Sequence, residues 1–152
     1  MSTGPHPRRN RGITLAELAT ALVVLAVLTA IAVPTWKTHT LRVRRTDAIE
    51  ALTALQAAQD GFFGRHARYA DAAKLALAVP DGLGFADRSS QRHYRIELRT
   101  SDDGLGYLAS AKPVSTDAQS ADTRCSEFTI DHNGRRHAVD ADGVDRSADC
   151  WQ

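Results

Sequence analysis

The feature that most limits what this chain can fold into is an apolar run from residue 13 to residue 33, which ends at Pro34. The run is 21 residues long and holds a single charged side chain, Glu17. As a helix it would be about 31 Å long at ~1.5 Å per residue, which matches a hydrocarbon core of roughly 30 Å. The sequence therefore predicts a helix long enough to cross a membrane, followed by one modest folded domain.

The start of this run differs from that of an ordinary membrane anchor. Glu17 lies one turn inside the run, and an ionised carboxylate in apolar surroundings indicates a functional role because it is costly unless paired or protonated. Three arginines precede the run, Arg8, Arg9 and Arg11, and the basic stretch closes with Gly12. A secretory signal has a shorter apolar core with its cleavage site after it, so this segment is not one.

The residues around Gly12 resemble a known processing signal. Gly12, an apolar residue, a Thr-Leu pair, Glu17 and an unbroken apolar helix reaching Pro34 are similar to the class III signal of type IV pilins and related pseudopilins. The resemblance implies that a prepilin peptidase cuts after Gly12 and N-methylates Ile13, so that residues 1–12 form a cleaved leader. Family members most often have Phe at this first mature position, where this chain has Ile13.

The same resemblance implies roles for Glu17 and Pro34. Glu17 matches the family's glutamate at mature position five, and we expect it to pair with the methylated amine of Ile13 on a neighbouring subunit. Mutual neutralisation offsets much of the cost of two charges in an apolar medium, so the pair would set subunit register. The alternative is a carboxylate tolerated near the interface that reaches toward the headgroups. Pro34 cannot donate its backbone hydrogen bond and predicts a helix kink.

Charge and cysteine content narrow the class of protein further. The net charge is +1, and removal of the leader leaves 16 basic and 18 acidic residues, a formal −2. This balance gives no general drive toward nucleic acid or an anionic membrane surface. Cys125 and Cys150 lie beyond the apolar run and indicate a disulfide in an oxidising compartment, with two free buried thiols as the alternative. The ending Cys150-Trp151 resembles one group of minor type IV pilins, in which a disulfide bounds the C-terminal region.

Residues 35–64 continue the helical pattern in an amphipathic form. Apolar side chains recur at three- and four-residue spacings, and the segment is too polar to stay in lipid, so it should pack on a globular domain. Gly61 or Gly64 is the expected end of this helix. We assign to its opposite, solvated face the charged residues Arg44, Arg45, Asp47, Glu50 and Asp60.

Residues 65–152 form the predicted globular head. Residues 67–78 predict a second short helix or helical loop, after which period-two alternation predicts strands over 93–100, 107–114, 127–131 and 135–140. Asn133-Gly134 predicts a tight hairpin turn with positive φ. The expected fold class is α+β and pilin-like: a long N-terminal helix whose outer half packs on an antiparallel sheet of about four strands.

Nothing in the sequence supports an enzyme, a cofactor or a metal site. No P-loop, GxGxxG or GxSxG motif is present. The acidic clusters at residues 131–134 and 140–143 lack the distal glutamate of an EF-hand loop and are typical of turns. The six histidines show no paired spacing on one helix face. We therefore expect no catalytic residue, no cofactor and no metal ion.

The arginines of the predicted head suggest DNA as an alternative partner. Arg95 and Arg99 share strand parity, so they should line one face of the sheet. The near-neutral total charge disfavours a phosphate-binding stripe and favours a solvated face with acids interspersed. The arginines concerned are Arg88, Arg92, Arg95, Arg99, Arg124, Arg135 and Arg136.

Together these observations predict a minor type IV pilin without catalytic activity, which would support pilus biogenesis, motility or adhesion. Basic residues flank the apolar run on both sides, so charge does not decide orientation. The cysteines and the resemblance place the head in the periplasm before assembly and on the pilus surface afterwards. The expected partners are the bacterial inner membrane, other pilin subunits, the prepilin peptidase and the assembly platform. The alternatives are a type II secretion pseudopilin and a single-span periplasmic module that binds DNA or a ligand.

Overall fold

The computed structural model of the chain describes Gly12 and residues 14–152, with the backbone alone at residues 34 and 35. The predicted leader up to residue 11 and the predicted methylation site Ile13 lie outside the described residues. The chain divides into two compact units, with the boundary between Thr38 and His39. One long helix, α1 (Leu15–His66), contributes to both units.

The first unit is the apolar part of α1. Its large side chains have no core of their own, and Leu22, Leu25, Leu28 and Ile31 each keep between 57% and 66% of their surface exposed. Among the described residues, α1 is the one helix that is long and apolar enough to cross a membrane. The helical backbone continues through residues 34 and 35, and the kink at Pro34 stays a prediction.

The second unit is the globular head, in which the C-terminal part of α1 is joined by a four-stranded antiparallel sheet with the order β1-β2-β3-β4. The predicted α+β class is confirmed, and each strand lies within one residue of its predicted bounds. Burial alternates clearly along the first and third strands. The strands are β1 (Tyr94–Thr100), β2 (Tyr107–Pro113), β3 (Glu127–Asp131) and β4 (Arg136–Val139). Short elements are two 3₁₀ turns (Ala72–Lys74 and Ala118–Ala121) and the helix α2 (Ser147–Cys150).

The core of the head lies between α1 and one face of the sheet. Leu52, Leu55 and Phe62 of α1 are buried in the same cluster as Phe128 and Ile130 of β3. The inward residues of β2 are mainly small, since Ala109 and Ala111 are both fully buried, and small side chains let a helix approach a sheet closely. The amphipathic pattern of residues 35–64 therefore reflects this packing.

The solvated face predicted for α1 is wrong at two positions. Arg45 and Asp47 are 8% and 0% exposed, whereas Glu50 and Asp60 are exposed as predicted. The buried charges are stable there because each is paired: Asp122 accepts two hydrogen bonds from Arg45, at 2.7 and 2.8 Å. A buried charge is tolerated when its partners satisfy it, and periodicity does not reveal such partners.

The expected end of the helix differs from the structure, and residues 67–78 form the predicted helical loop and not the predicted short helix. α1 passes Gly61 and Gly64 and ends at His66, because an interior glycine costs a helix only about 1 kcal/mol. Ala67 follows in the left-handed region, at a φ of 53°. Within residues 67–78 one 3₁₀ turn forms, Ala72–Lys74. Long-range bonds hold this segment instead; for example, the Tyr69 N–H donates to the Gly104 carbonyl at 2.8 Å.

The β3–β4 hairpin forms where Asn133-Gly134 predicts it, but its turn is longer than a two-residue one. The Gly134 N–H donates to the Asp131 carbonyl at 2.9 Å, and Gly134 has the positive φ, 74°. The Asp131 carboxylate accepts bonds from the backbone N–H groups of Asn133 and Arg135, at 2.8 and 2.9 Å. This is the three-residue loop in which a glycine takes the left-handed position.

Candidate functional site

The start of α1 is held by a reciprocal pair, Thr14 and Glu17. The Thr14 N–H and hydroxyl donate to Oε2 of Glu17 at 2.8 and 2.9 Å, and the Glu17 N–H lies 3.2 Å from the Thr14 hydroxyl oxygen. This is a capping box, which satisfies N–H groups that have no partner inside the helix. The Thr-x-x-Glu spacing is its sequence signal, which the charge-based interpretation of Glu17 overlooked.

The capping box follows directly after the predicted processing site. Gly12 is exposed, two residues before Thr14. Ile13 lies outside the described residues, so cleavage, methylation and pairing of Glu17 with the Ile13 amine stay predictions. The capping box shows that the Glu17 carboxylate has a structural use within its own chain in addition to any use between chains.

Beyond the cap, the polar groups of the apolar segment are satisfied internally. The Thr20 hydroxyl donates to the carbonyls of Ala16 and Glu17 at 3.1 and 3.0 Å. The Thr29 hydroxyl donates in the same way to Leu25 and Ala26, at 2.9 Å each. Threonines that bond their own helix present mainly methyl groups outward, so these positions suit lipid or another helix.

The C-terminal region is fastened to the sheet by a disulfide and an aromatic contact. Cys125 and Cys150 are joined, with their Cα atoms 5.9 Å apart, and both are buried. The Trp151 ring meets Phe128 edge-on at 5.8 Å between centroids, and its Nε1–H donates to the His137 carbonyl at 3.0 Å. These contacts hold the segment after β4 against β3 and β4.

A row of three basic residues crosses the outer side of the sheet at β1. Arg88 forms an isolated antiparallel bridge with Arg95, and Arg95 is opposite Lys112 in the register of β1 and β2. Lys112 in turn forms an ion pair with Glu127 on β3, with 3.4 Å between Nζ and Oε1. Like charges placed directly opposite one another on a sheet repel, so the row concentrates positive charge at this edge of the sheet, and the Lys112–Glu127 pair offsets part of it. Lys112 is the member that the sequence analysis missed.

The loop that carries one end of this row is anchored by Asp47. Its carboxylate accepts bonds from the hydroxyls of Ser89 and Ser90 at 2.6 and 3.1 Å. It also accepts the backbone N–H groups of Gln91 and His93, at 3.0 and 3.3 Å. A buried carboxylate with four donors fixes the backbone of this loop, in which Arg92 has a left-handed φ of 66°.

Three of the other arginines considered as a DNA surface, Arg99, Arg124 and Arg136, have different surroundings. Arg99 shares the exposed face of β1 with Arg95, as predicted, but half-buried Glu97 lies between them. Arg124 is ion-paired with Asp149 at 3.2 Å. Arg136 stacks over Trp151 at 5.3 Å from the ring centroid.

Asp117 provides a second electrostatic anchor beside β1. It accepts the Gln119 backbone N–H at 2.7 Å, and its other oxygen lies 3.1 Å from Nδ1 of His93. The Gln119 hydrogen bond lowers the pKa of Asp117, and His93 and Arg44 act in the same direction. Across the part of the chain that the structure describes, no group of three His, Cys, Asp or Glu side chains is placed to hold a metal ion.

Comparisons with known proteins concern the family of this chain. A model of the family described as "Type IV minor pilin ComP, DNA uptake sequence receptor" matches residues 34–129, and the prokaryotic N-terminal methylation motif matches residues 7–33. The type IV major pilin protein PilA of Myxococcus xanthus (strain DK1622) is 35% identical over 95 residues, which cover 62% of this chain. The match spans 40% of that relative's own length.

A solved type IV pilin from Shewanella oneidensis is 22% identical and has a TM-score of 0.48; the match covers 74% of this chain and 98% of that one. The minor pilin model spans more than half of the 152 residues and follows directly on the segment matched by the methylation motif. The chain therefore belongs to the type IV minor pilin family.

Proposed function

We propose that this chain is a structural subunit of a type IV pilus, incorporated as a minor pilin through its apolar N-terminal helix. The observation that carries the proposal is the exposed apolar part of α1, in which Leu22, Leu25 and Leu28 find no core within the described chain. Such a surface is stable in lipid or against other helices. A membrane-anchored precursor and a helix-bundled fibre supply these two environments in turn.

Processing and register complete this proposal. The prepilin peptidase would cut between Gly12 and Ile13 and methylate Ile13, and the Glu17 carboxylate would pair with that amine on a neighbouring subunit. The head would face the periplasm before the assembly platform inserts the subunit, and it would lie on the pilus surface afterwards. The chain itself would carry no catalytic activity.

Intact-mass analysis and N-terminal sequencing of the protein from its native cells test the proposal. We expect a chain that begins at Ile13, carries one added methyl group and is recovered in sheared surface fibres. A chain that still begins at Met1 in cells with an active prepilin peptidase would contradict processing. A processed chain that is absent from sheared fibres would instead support a secretion pseudopilin.

A second candidate function is contact with DNA. The matching family is described as a DNA uptake sequence receptor, and the basic row Arg88–Arg95–Lys112 is the feature of this chain that could contact phosphates. The net charge near zero means that binding would depend on this local arrangement and not on a general attraction.

Fluorescence anisotropy of the full chain in detergent with labelled double-stranded DNA, measured over a series of salt concentrations, tests this second function. Each phosphate contact that is lost should reduce the slope of log K against log salt by about 1. We expect that reduction for Arg95→Gln and no change for Arg65→Gln, which alters an arginine outside the row. Equal slopes for both variants would contradict a role of the row.

A further inference from the structure

A polar pocket of about 180 Å³ lies on the head, where the C-terminal part of α1 approaches the disulfide-bounded region. Its lining includes three cations and one acid, and its residues are Arg42, Arg45, Arg124, Asp149, Cys150 and Gln152. The pocket lies apart from the basic row on the sheet, since none of its lining residues belongs to that row.

The three arginines of the pocket differ in whether a carboxylate pairs with them. Arg45 is nearly buried, and its Nε and Nη2 donate to the Asp122 carboxylate at 2.7 and 2.8 Å. This pair holds the guanidinium in place and does not use Nη1. Arg124 is compensated by Asp149, at 3.2 Å. Arg42 is exposed, and among the described residues no carboxylate pairs with it. Among the side chains that line the pocket, Arg42 is therefore the one cation without a carboxylate side chain as its partner.

We propose that this pocket receives a carboxylate side chain of an adjacent pilin subunit, so that Arg42 and Arg45 form an inter-subunit anion site. This inference rests on the proposed function. The occupant follows from charge and position: Arg42 lies on α1, nine residues after the apolar segment that would bring subunits together. A planar guanidinium fork suits a carboxylate, and a volume of this size admits the end of one acidic side chain.

The pocket differs from an exposed cluster of charges because part of it is preorganised. Arg45 is fixed by its bidentate pair and Cys150 by the disulfide, so an incoming carboxylate would have to order mainly Arg42. Fewer side chains to order means a smaller entropic cost of association. The site would therefore orient a neighbouring head and not merely attract it.

Charge reversal in the full chain, expressed in its native cells, tests the proposal. We expect Arg42→Glu to be recovered in sheared fibres at roughly one tenth of the wild-type ratio of fibre to membrane, because an unpaired charge at an interface is costly. Arg42→Lys should be intermediate, since it keeps the charge and loses the fork. The matched control is Arg65→Glu, an exposed arginine on the same helix outside the pocket, which should behave as wild type.

A photo-crosslinking residue placed at position 152, which lines the pocket without supplying one of its cations, identifies the occupant. We expect a crosslink to a pilin peptide that contains an Asp or Glu, and reversal of that acid to Arg should restore Arg42→Glu to the fibre. Equal incorporation of Arg42→Glu and wild type, a crosslink to lipid or nucleic acid alone, or a failed charge swap would each overturn the inference. Absence of the wild-type chain from fibres would instead overturn the proposed function on which the inference rests.

Discussion

The hydroxyl of Ser89 donates a 2.6 Å hydrogen bond to the carboxylate of Asp47, a residue 42 positions earlier on α1. Both side chains are buried, and the Ser89 hydroxyl oxygen also accepts the Tyr94 backbone N–H at 3.0 Å. The helix thereby determines the path of the loop that enters β1. A residue assigned by periodicity to the solvated face of α1 is thus one of the main supports of the head.

Substitution of Asp47 should show how much this support contributes. Asp47→Ala leaves the donors of Ser89, Gln91 and His93 without their acceptor, and we expect a loss of about 2–4 kcal/mol in the free energy of unfolding. Denaturant unfolding of the full chain in detergent measures it. Glu50→Ala, an exposed acid one turn further along the helix, is the control and should change stability by less than about 0.5 kcal/mol. Equal effects of the two substitutions would contradict the anchoring role.

The two uses of Glu17 can be separated by the choice of substituent. Glu17→Gln keeps an oxygen that can accept the Thr14 bonds but removes the charge, whereas Glu17→Val removes both. If pairing with the Ile13 amine sets subunit register, both variants should be recovered in sheared fibres far less than wild type at equal membrane levels. Normal incorporation of Glu17→Gln together with failure of Glu17→Val would assign the requirement to the capping box and contradict charge pairing.

Two buried tyrosines should respond in opposite ways to loss of the hydroxyl. The Tyr107 hydroxyl has no hydrogen-bond partner among the described residues, so Tyr107→Phe should be neutral or stabilising by up to about 1 kcal/mol. Tyr94 accepts a 2.9 Å bond from the Gln119 amide, so Tyr94→Phe should destabilise by about 1 kcal/mol. Denaturation at pH 7 compares them, and a destabilising Tyr107→Phe would show that its hydroxyl is satisfied.

The buried hydroxyl of Tyr107 should also make the stability of the folded chain depend on pH in the alkaline range. Burial raises the pKa of Tyr107, with Asp60 acting in the same direction, so the unfolded chain releases this proton at lower pH than the folded chain. The associated stability is present below pH 10, the ordinary tyrosine value, and is lost as the pH rises above it. Tyr107→Phe should therefore lose less stability than wild type between pH 9 and 11. Parallel curves for the two proteins would contradict this linkage.

The disulfide should stabilise the folded head because it closes a loop in the unfolded chain. Cys125 and Cys150 are 25 positions apart, and closing a loop of this length is worth roughly 3 kcal/mol in the chain-entropy model. We expect Cys125→Ser with Cys150→Ser to unfold at correspondingly lower denaturant. Wild type treated with reductant should match the double variant, which itself should not respond to reductant. A double variant as stable as the oxidised protein would contradict this contribution.

Much of the fold could be predicted because local patterns determine it. Period-two alternation locates β1 and β2, and Asn133-Gly134 locates the hairpin between β3 and β4. The segment of residues 67–78 has helix-forming composition, yet it forms only one 3₁₀ turn. Gln59 occupies both backbone groups of Ala70, at 2.9 Å each, so Ala70 cannot take part in a helix. Such a bond is invisible to local propensity, since tertiary context overrides it.

The candidate sites also differ in how far the sequence alone could locate them. The Gly12 and Glu17 signal is a contiguous motif, and a sequence suffices to find it. The basic row depends on the cross-strand register of Arg95 and Lys112, and the pocket depends on Arg42 approaching Arg124, 82 positions away. Residues so far apart in sequence come together only through the complete topology, so no spacing rule could locate either site.

The polar anchors on α1 also have a mechanical consequence. Three side chains of α1 each hold a different loop through short, directional hydrogen bonds: Arg45, Asp47 and Gln59. The apolar side chains between them make contacts that do not depend on direction. A pull along the helix axis must break these bonds together before the helix can slide by one turn past the sheet. Under a force along the helix axis, α1 should therefore separate from the rest of the head in one step and not by gradual sliding, because three attachment points must break at once.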